Sequence, residues 1–216
     1  MTYLDAINKV LRRLREDEVS SPDSSAYSKL IGEFVNDANR LVEDAWDWSM
    51  LRTITPASGI TEFTTTFAVS GLTEADKIIS VFNITDNEEL KLGSQARLYD
   101  NKYVESTPRG RPTHYVPLVQ DSNGNTTFEL YPNSDGSRVI LFNYVARTPE
   151  LTSGTDKIKC PAHVIVQFAQ AMAAEERGET GGTSSSKLYA IAQSSLSDAI
   201  ALDAGRFPSE TVWYDV

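Results

Sequence analysis

The side chains able to do chemistry are few. Only His114, His163 and Cys160 supply imidazole or thiol, too little for a zinc site or a histidine-centred triad. Carboxylates pair along the chain as Glu88-Glu89, Glu175-Glu176 and Asp44/Asp47. Acid–base catalysis needs two carboxylates facing each other with separated pKa values, whereas sequence neighbours point apart, so a solvated surface accounts for these. Asp121-Ser122-Asn123-Gly124-Asn125 resembles a calcium loop. Its glycine stands fourth rather than sixth, and Pro132 occupies the position of the bidentate ligand. A hairpin turn is the better reading. Walker A, Gly-x-Gly-x-x-Gly, His-Glu-x-x-His and Gly-x-Ser-x-Gly patterns do not occur. No catalytic, cofactor-binding or metal residue is assigned, and no enzyme activity or cofactor is expected.

Two features point to binding. Arg109-Gly110-Arg111-Pro112 matches the core of a minor-groove arm. It leads straight into a strand instead of lying in a basic tail, so a turn or an inter-subunit contact by Arg109 and Arg111 is expected. After the last helix, Phe207, Trp213 and Tyr214 form an aromatic tail; such side chains either fold back on their own domain or anchor an interface. Trp46-Asp47-Trp48 reads as a core anchor at a helix–sheet junction.

Composition narrows the classes further. The 216 residues carry a formal charge of −10 with 40% hydrophobic and 23% charged residues. A chain of this size buries about 70% of its unfolded surface, enough for a core without staples. The acidic balance disfavours a general nucleic-acid coat. One cysteine excludes an internal disulfide. Asp5, Arg12 and Arg13 interrupt any leader-like run, and no stretch has the eighteen apolar residues of a membrane span. A soluble protein of a reducing compartment is expected.

The elements that must position these residues follow from periodicity. Leu4, Ile7, Leu11 and Leu14 recur at helical spacing, with Thr2 and Asp5 spaced as a capping box. A second helix runs from about Ser25 to Trp46. Residues 62–69, 78–84, 113–119, 126–131 and 138–145 are short and rich in β-branched and aromatic side chains, with Asn123-Gly124 and Asp135-Gly136 as hairpin turns. Pro161 opens a third long helix that Gly178 ends. A fourth, with Leu188, Ile191, Ala192, Ser195, Ala199 and Leu202 inward, stops at Gly205. The expected fold is α+β: a four-helix bundle formed by N- and C-terminal helix pairs, interrupted by an antiparallel β insertion. The expected divisions are 1–51 and 159–205 for the helix pairs, 52–158 for the insertion and 206–216 for a docking tail.

This order of elements resembles the head-to-tail adaptor (connector) proteins of tailed bacteriophages, including the tail tubular protein A of short-tailed phages. The runs that carry the resemblance are Asp44-Ala45-Trp46-Asp47-Trp48, Gly110-Arg111-Pro112-Thr113-His114-Tyr115, Phe128-Glu129-Leu130-Tyr131-Pro132, the segment Asn143 to Leu151, and Pro161-Ala162-His163. The resemblance implies a non-enzymatic homo-oligomeric ring of twelve copies in the virion neck, assembled in the host cytoplasm. Its partners would be a portal protein and a tail or nozzle protein, with transient, non-specific passage of DNA and no membrane. It gives Phe207, Trp213 and Tyr214 a portal-docking role, Arg109 and Arg111 inter-subunit or lumen contacts, and the β insertion a face toward neighbouring copies or the next tail ring. The competing reading is a surface-recognition module of a phage tail that binds carbohydrate through Tyr99, Tyr103, Tyr115 and Tyr131.

Overall fold

The computed structural model describes residues 1–62, 64–103, 108–178 and 183–206. The chain divides into two compact units, Met1–Leu51 with Thr148–Val216, and Arg52–Arg147.

The first unit is helical. Helix α1, Tyr3–Arg13, starts with the capping box: Thr2 N–H donates to Asp5 Oδ2 at 3.1 Å and Asp5 N–H to Thr2 Oγ1 at 3.2 Å. Helix α2, Ala26–Ala45, starts with the same exchange between Ser25 and Ser28, each bond 2.9 Å. Along it Ile31, Val35, Ala38 and Val42 are fully buried at helical spacing. Gly32 lets α1 come close, because a Cβ there would clash with the Tyr3 hydroxyl. After α2, Trp48 is fully buried and its indole N–H donates to the Val42 carbonyl at 2.6 Å. It is the core anchor, while Trp46 is 38% exposed.

The stretch from Thr148 to Ile158 lies against the start of the chain: Tyr3 N–H donates to Asp156 O at 2.8 Å and Ile158 N–H to Met1 O at 3.1 Å. Buried Asn39 and Glu43 hold it from α2, since Thr148 Oγ1 donates to Glu43 and Asn39 Nδ2 donates to both. Helix α4, Ala162–Glu176, is the hub. Val164, Ile165, Val166, Phe168, Ala169 and Ala171 are all buried, leaving His163, Gln167 and Gln170 as a narrow polar line, and it packs with α1, α2 and helix α5, Thr183–Ala204. Arg177 closes its end, with Nε on the Tyr27 hydroxyl at 2.7 Å and a terminal nitrogen on Glu16 at 2.6 Å.

The second unit is a sheet that curls on itself. Its strands are β1 Arg52–Ile60, β2 Thr66–Ala68, β3 Lys77–Asn83, β4 Glu88–Leu92, β6 His114–Gln120, β7 Thr126–Tyr131 and β9 Arg138–Val145, in the order β1-β9-β3-β4-β6-β7-β2. A separate pair joins β5 Arg109–Gly110 to β8 Asn133–Ser134. The two edge strands, β1 and β2, approach each other, and Phe67 on β2 lies tilted against Phe142 of β9 with ring centroids 6.2 Å apart. Phe128 and Phe142 meet at 4.6 Å at the centre of the core, with Tyr115 against both. Gly124 turns the β6–β7 hairpin with φ of +82°. Gly136 takes no positive φ; there Ser134 Oγ bridges the turn to the Gly136 carbonyl at 2.6 Å.

The expected fold class, a four-helix bundle interrupted by an antiparallel β insertion, is corrected here. The fold is mixed α+β and dominated by a seven-stranded half-barrel with its own aromatic core. That sheet is not wholly antiparallel, because β4 pairs in parallel with β6 through Lys91↔His114 and Leu92↔Tyr115. Parallel neighbours cannot be joined by a hairpin and need a crossover of a dozen or more residues. The chain makes it between β4 and β6, where Gln95–Tyr103 form a fifth helix, α3. Nor does α5 turn the expected stripe inward. Ala192 is fully buried, but Ile191 is 53% and Leu202 68% exposed. The inward line runs instead through Ser185, Tyr189, Ala192 and Asp203, with Tyr189 stacked on Phe168 at 6.5 Å.

Candidate interaction surfaces

The arginine segment is a braced turn. Gly110 pairs with Ser134 and Asn133 N–H donates to Pro108 O at 3.1 Å. Arg111 reaches back to the end of the β3–β4 turn. Its Nε meets Glu88 Oε2 at 2.8 Å and a terminal nitrogen donates to the Asp86 carbonyl at 2.5 Å. Arg138 binds the Asp86 carboxylate and Asp135, both at 2.7 Å. Arg111 is thus held by acidic residues while half its side chain remains exposed, and Arg109 is exposed beside it. An arm for the minor groove extends free arginines from a flexible segment; here a carboxylate occupies Arg111.

Asp121 accepts from the backbone of Asn123 and Asn125, each at 2.8 Å, and from the Asn125 side chain. Those hydrogen bonds, from Asn125 foremost, hold its carboxyl below the usual range. The loop closes a hairpin with its own donors. Among the described residues no three His, Cys, Asp or Glu side chains form a group able to hold a metal. His114 Nδ1 lies 2.9 Å from Thr113 Oγ1 on β6, and His163 sits in the first turn of α4. Glu175 accepts from the Tyr189 hydroxyl at 2.9 Å; burial, with this carboxylate added, pushes that phenol up to about 12. Cys160 is buried, and burial together with Glu43 and Asp203 pushes its thiol up to about 12.

The tyrosines do not form one platform. Tyr115 is a core residue at 7% exposure, Tyr99 is exposed, and Tyr131 is half-buried. Tyr131 lines a cavity of about 410 Å³ with Arg97, Leu98, His114 and Val116. The side chain of Tyr103 and the whole of Phe207, Trp213 and Tyr214 lie outside the described residues.

Periodicity alone did not locate the exposed apolar surface. On the outer face of the sheet Pro56 pairs with Leu141 and Leu141 with Phe82, and Ile54, Phe82, Ile84 and Val139 are 40–64% exposed. On the helical unit the exposed large apolar side chains include Leu41, Trp46, Met50, Ile191 and Leu202. Scattered apolar side chains are ordinary on a monomer; here Pro56, Leu141 and Phe82 lie in one row across three strands. No helix among the described residues is long and apolar enough to cross a membrane.

No curated protein sequence matches the chain. A family model does, over residues 1–211, and it is the SU10 adaptor protein. Adaptors of this kind are structural proteins of the phage virion neck that interact with portal and tail proteins. The chain belongs to the SU10 adaptor protein family of bacteriophage adaptors.

Proposed function

We propose that the chain forms a ring of twelve copies between portal and tail, with DNA passing through its lumen, in the manner of the tail tubular protein A of short-tailed phages. Family membership over residues 1–211 carries this reading. Exposed apolar side chains on each unit support it, because a ring subunit must keep contact surfaces that a monomer would bury. The charge of −10 supports a wall past which DNA slides without adhering.

In this reading Phe207, Trp213 and Tyr214 dock on the portal, and Arg109 and Arg111 contact a neighbouring copy or face the lumen. Removing residues 206–216 tests it. The truncated chain stays folded by circular dichroism and loses portal attachment in a pull-down with the portal of its own phage; attachment at wild-type strength contradicts the docking role.

A further inference from the structure

The sheet lacks a strand over part of its width. Strand β4 lies between β3 and β6, pairing Val81↔Leu90 on one side and Leu92↔Tyr115 on the other. It stops at Leu92, and among the described residues no strand continues its line. Beyond that point β3 runs through Ser80, Ile79 and Ile78 against β9 alone, and β6 runs from Val116 to Gln120 against β7 alone. Two strands that both flank β4 stand two strand spacings apart, about 9.6 Å, the room that one more strand needs. Pro117 accounts for the stop. Gly93 N–H donates to the Tyr115 carbonyl at 2.9 Å, so Tyr115 and, two residues on, Pro117 turn their backbone toward β4. Proline has no N–H to give, and the ladder ends.

A cavity of about 650 Å³ occupies the gap. Ile78 lines one bank, Pro117 to Gln120 the other, Leu92 the head, and Tyr115 and Thr126 the floor. The core is uncovered there. Leu90 is 3% exposed, whereas Leu92, two residues on and therefore on the same face, is 65% exposed. Val119 across the gap is 78% exposed. The Thr126 hydroxyl is buried and has no hydrogen-bond partner among the described residues.

Shape and local charge name the occupant. An opening one strand wide and five residues long, about 17 Å, admits extended backbone but not a helix, which is about 10 Å across. Added strands bind through main-chain hydrogen bonds and are selected by the side chains at alternate positions. Those positions meet Leu92, Tyr115 and Val119, so apolar side chains fit them. Along the rim Glu74 and Asp76 outnumber Lys77, which favours Lys or Arg in the segment. The chain's own residues 207–216 carry only Glu210 and Asp215 as charged side chains, the wrong sign for that rim. We propose that this opening takes a short extended segment of another protein as an added strand, apolar at alternate positions and carrying a basic residue. The proposal goes beyond the ring reading and does not need it.

Hydrogen–deuterium exchange on the full-length chain tests this. The probes are overlapping synthetic peptides that tile the portal and tail proteins of its phage, and one peptide that copies residues 206–216. A basic portal or tail peptide is expected to slow exchange at least about tenfold in both 78–80 and 116–120, and methylating its backbone nitrogens abolishes the effect. Val119→Glu weakens its binding at least about tenfold, while Ile54→Glu, at a 64% exposed site on β1, leaves it unchanged. Leu92→Gln, which adds no charge, gives a smaller loss in the same direction and stands in if Val119→Glu fails to fold. No binding by any portal or tail peptide overturns the proposal, as does binding that protects neither bank. Protection by the 206–216 peptide alone overturns it in favour of the chain's own tail. Protection that rises with protein concentration without any peptide overturns it in favour of a second copy. The native mass of the assembly decides the ring reading separately.

Discussion

Asp203, in the last turn of α5, takes the Ser49 backbone N–H at 2.9 Å and the Ser49 hydroxyl at 2.5 Å, across 154 residues of sequence. The same carboxylate accepts from the Trp46 indole at 3.2 Å. It thereby satisfies donors at the start of the 3-10 turn Ser49–Leu51 and fastens the end of α5 to the segment that follows α2.

Burial alone would raise the Asp203 carboxyl, but the bonds from Ser49 and Trp46 outweigh it and hold the group below the usual carboxylate range. A depressed folded value means that the stabilisation is complete above the unfolded value, near pH 4, and is lost as pH falls through the folded one. Asp203→Ala is expected to cost roughly 2–3 kcal/mol at pH 7. Asp203→Asn is expected to flatten the loss of stability below about pH 4. Urea titrations at pH 7 and pH 3 measure both; an Asp203→Ala chain as stable as wild type would contradict the role.

Cys160, buried and pushed up to about 12, stays a thiol at neutral pH and is inert. A thiol reagent at pH 8 is expected to label none of the native protein and one site per chain after denaturation. Rapid labelling of the native chain would show that the segment before α4 opens.

Gly32 and Tyr3 set the approach of α1 to α2. Gly32→Ala gains about 1 kcal/mol of helix propensity, yet forces the Tyr3 ring aside at roughly 1–3 kcal/mol, so the chain is destabilised. In a Tyr3→Phe background, where the clashing hydroxyl is gone, the same substitution becomes neutral or stabilising. The two thermal melts measure that coupling; a raised Tm for Gly32→Ala alone contradicts the contact.

Much of the local structure is legible in the sequence. The Thr2/Asp5 capping box, helix α2, strand β7 and the Asn123-Gly124 turn each express a short-range rule, and each forms, though Glu129 is buried where alternation would turn it outward. Strand β4 is not legible, since Glu88–Leu92 holds three charges in five residues and buries only Leu90. Helix α3 has no apolar stripe to mark it, and the parallel pairing that it permits has no local signature. The bundle expectation failed for this reason: strand and helix content follow from period, but parallel closure of a sheet does not. On α5 serine, threonine and alanine are interleaved with the larger apolar residues, so periodicity could not tell the covered side from the open one, and nothing local marks Asp203 as a residue that turns inward. The partners of Arg111 are Glu88 and, 25 residues away, Asp86, so the sequence marks a turn there without revealing what braces it.

The central claim is tested most directly by the native mass of the purified chain, alone and mixed with the portal of its phage. The account predicts a ring-sized assembly, free or formed on the portal. A monomer of 23.9 kDa indifferent to the portal would contradict it.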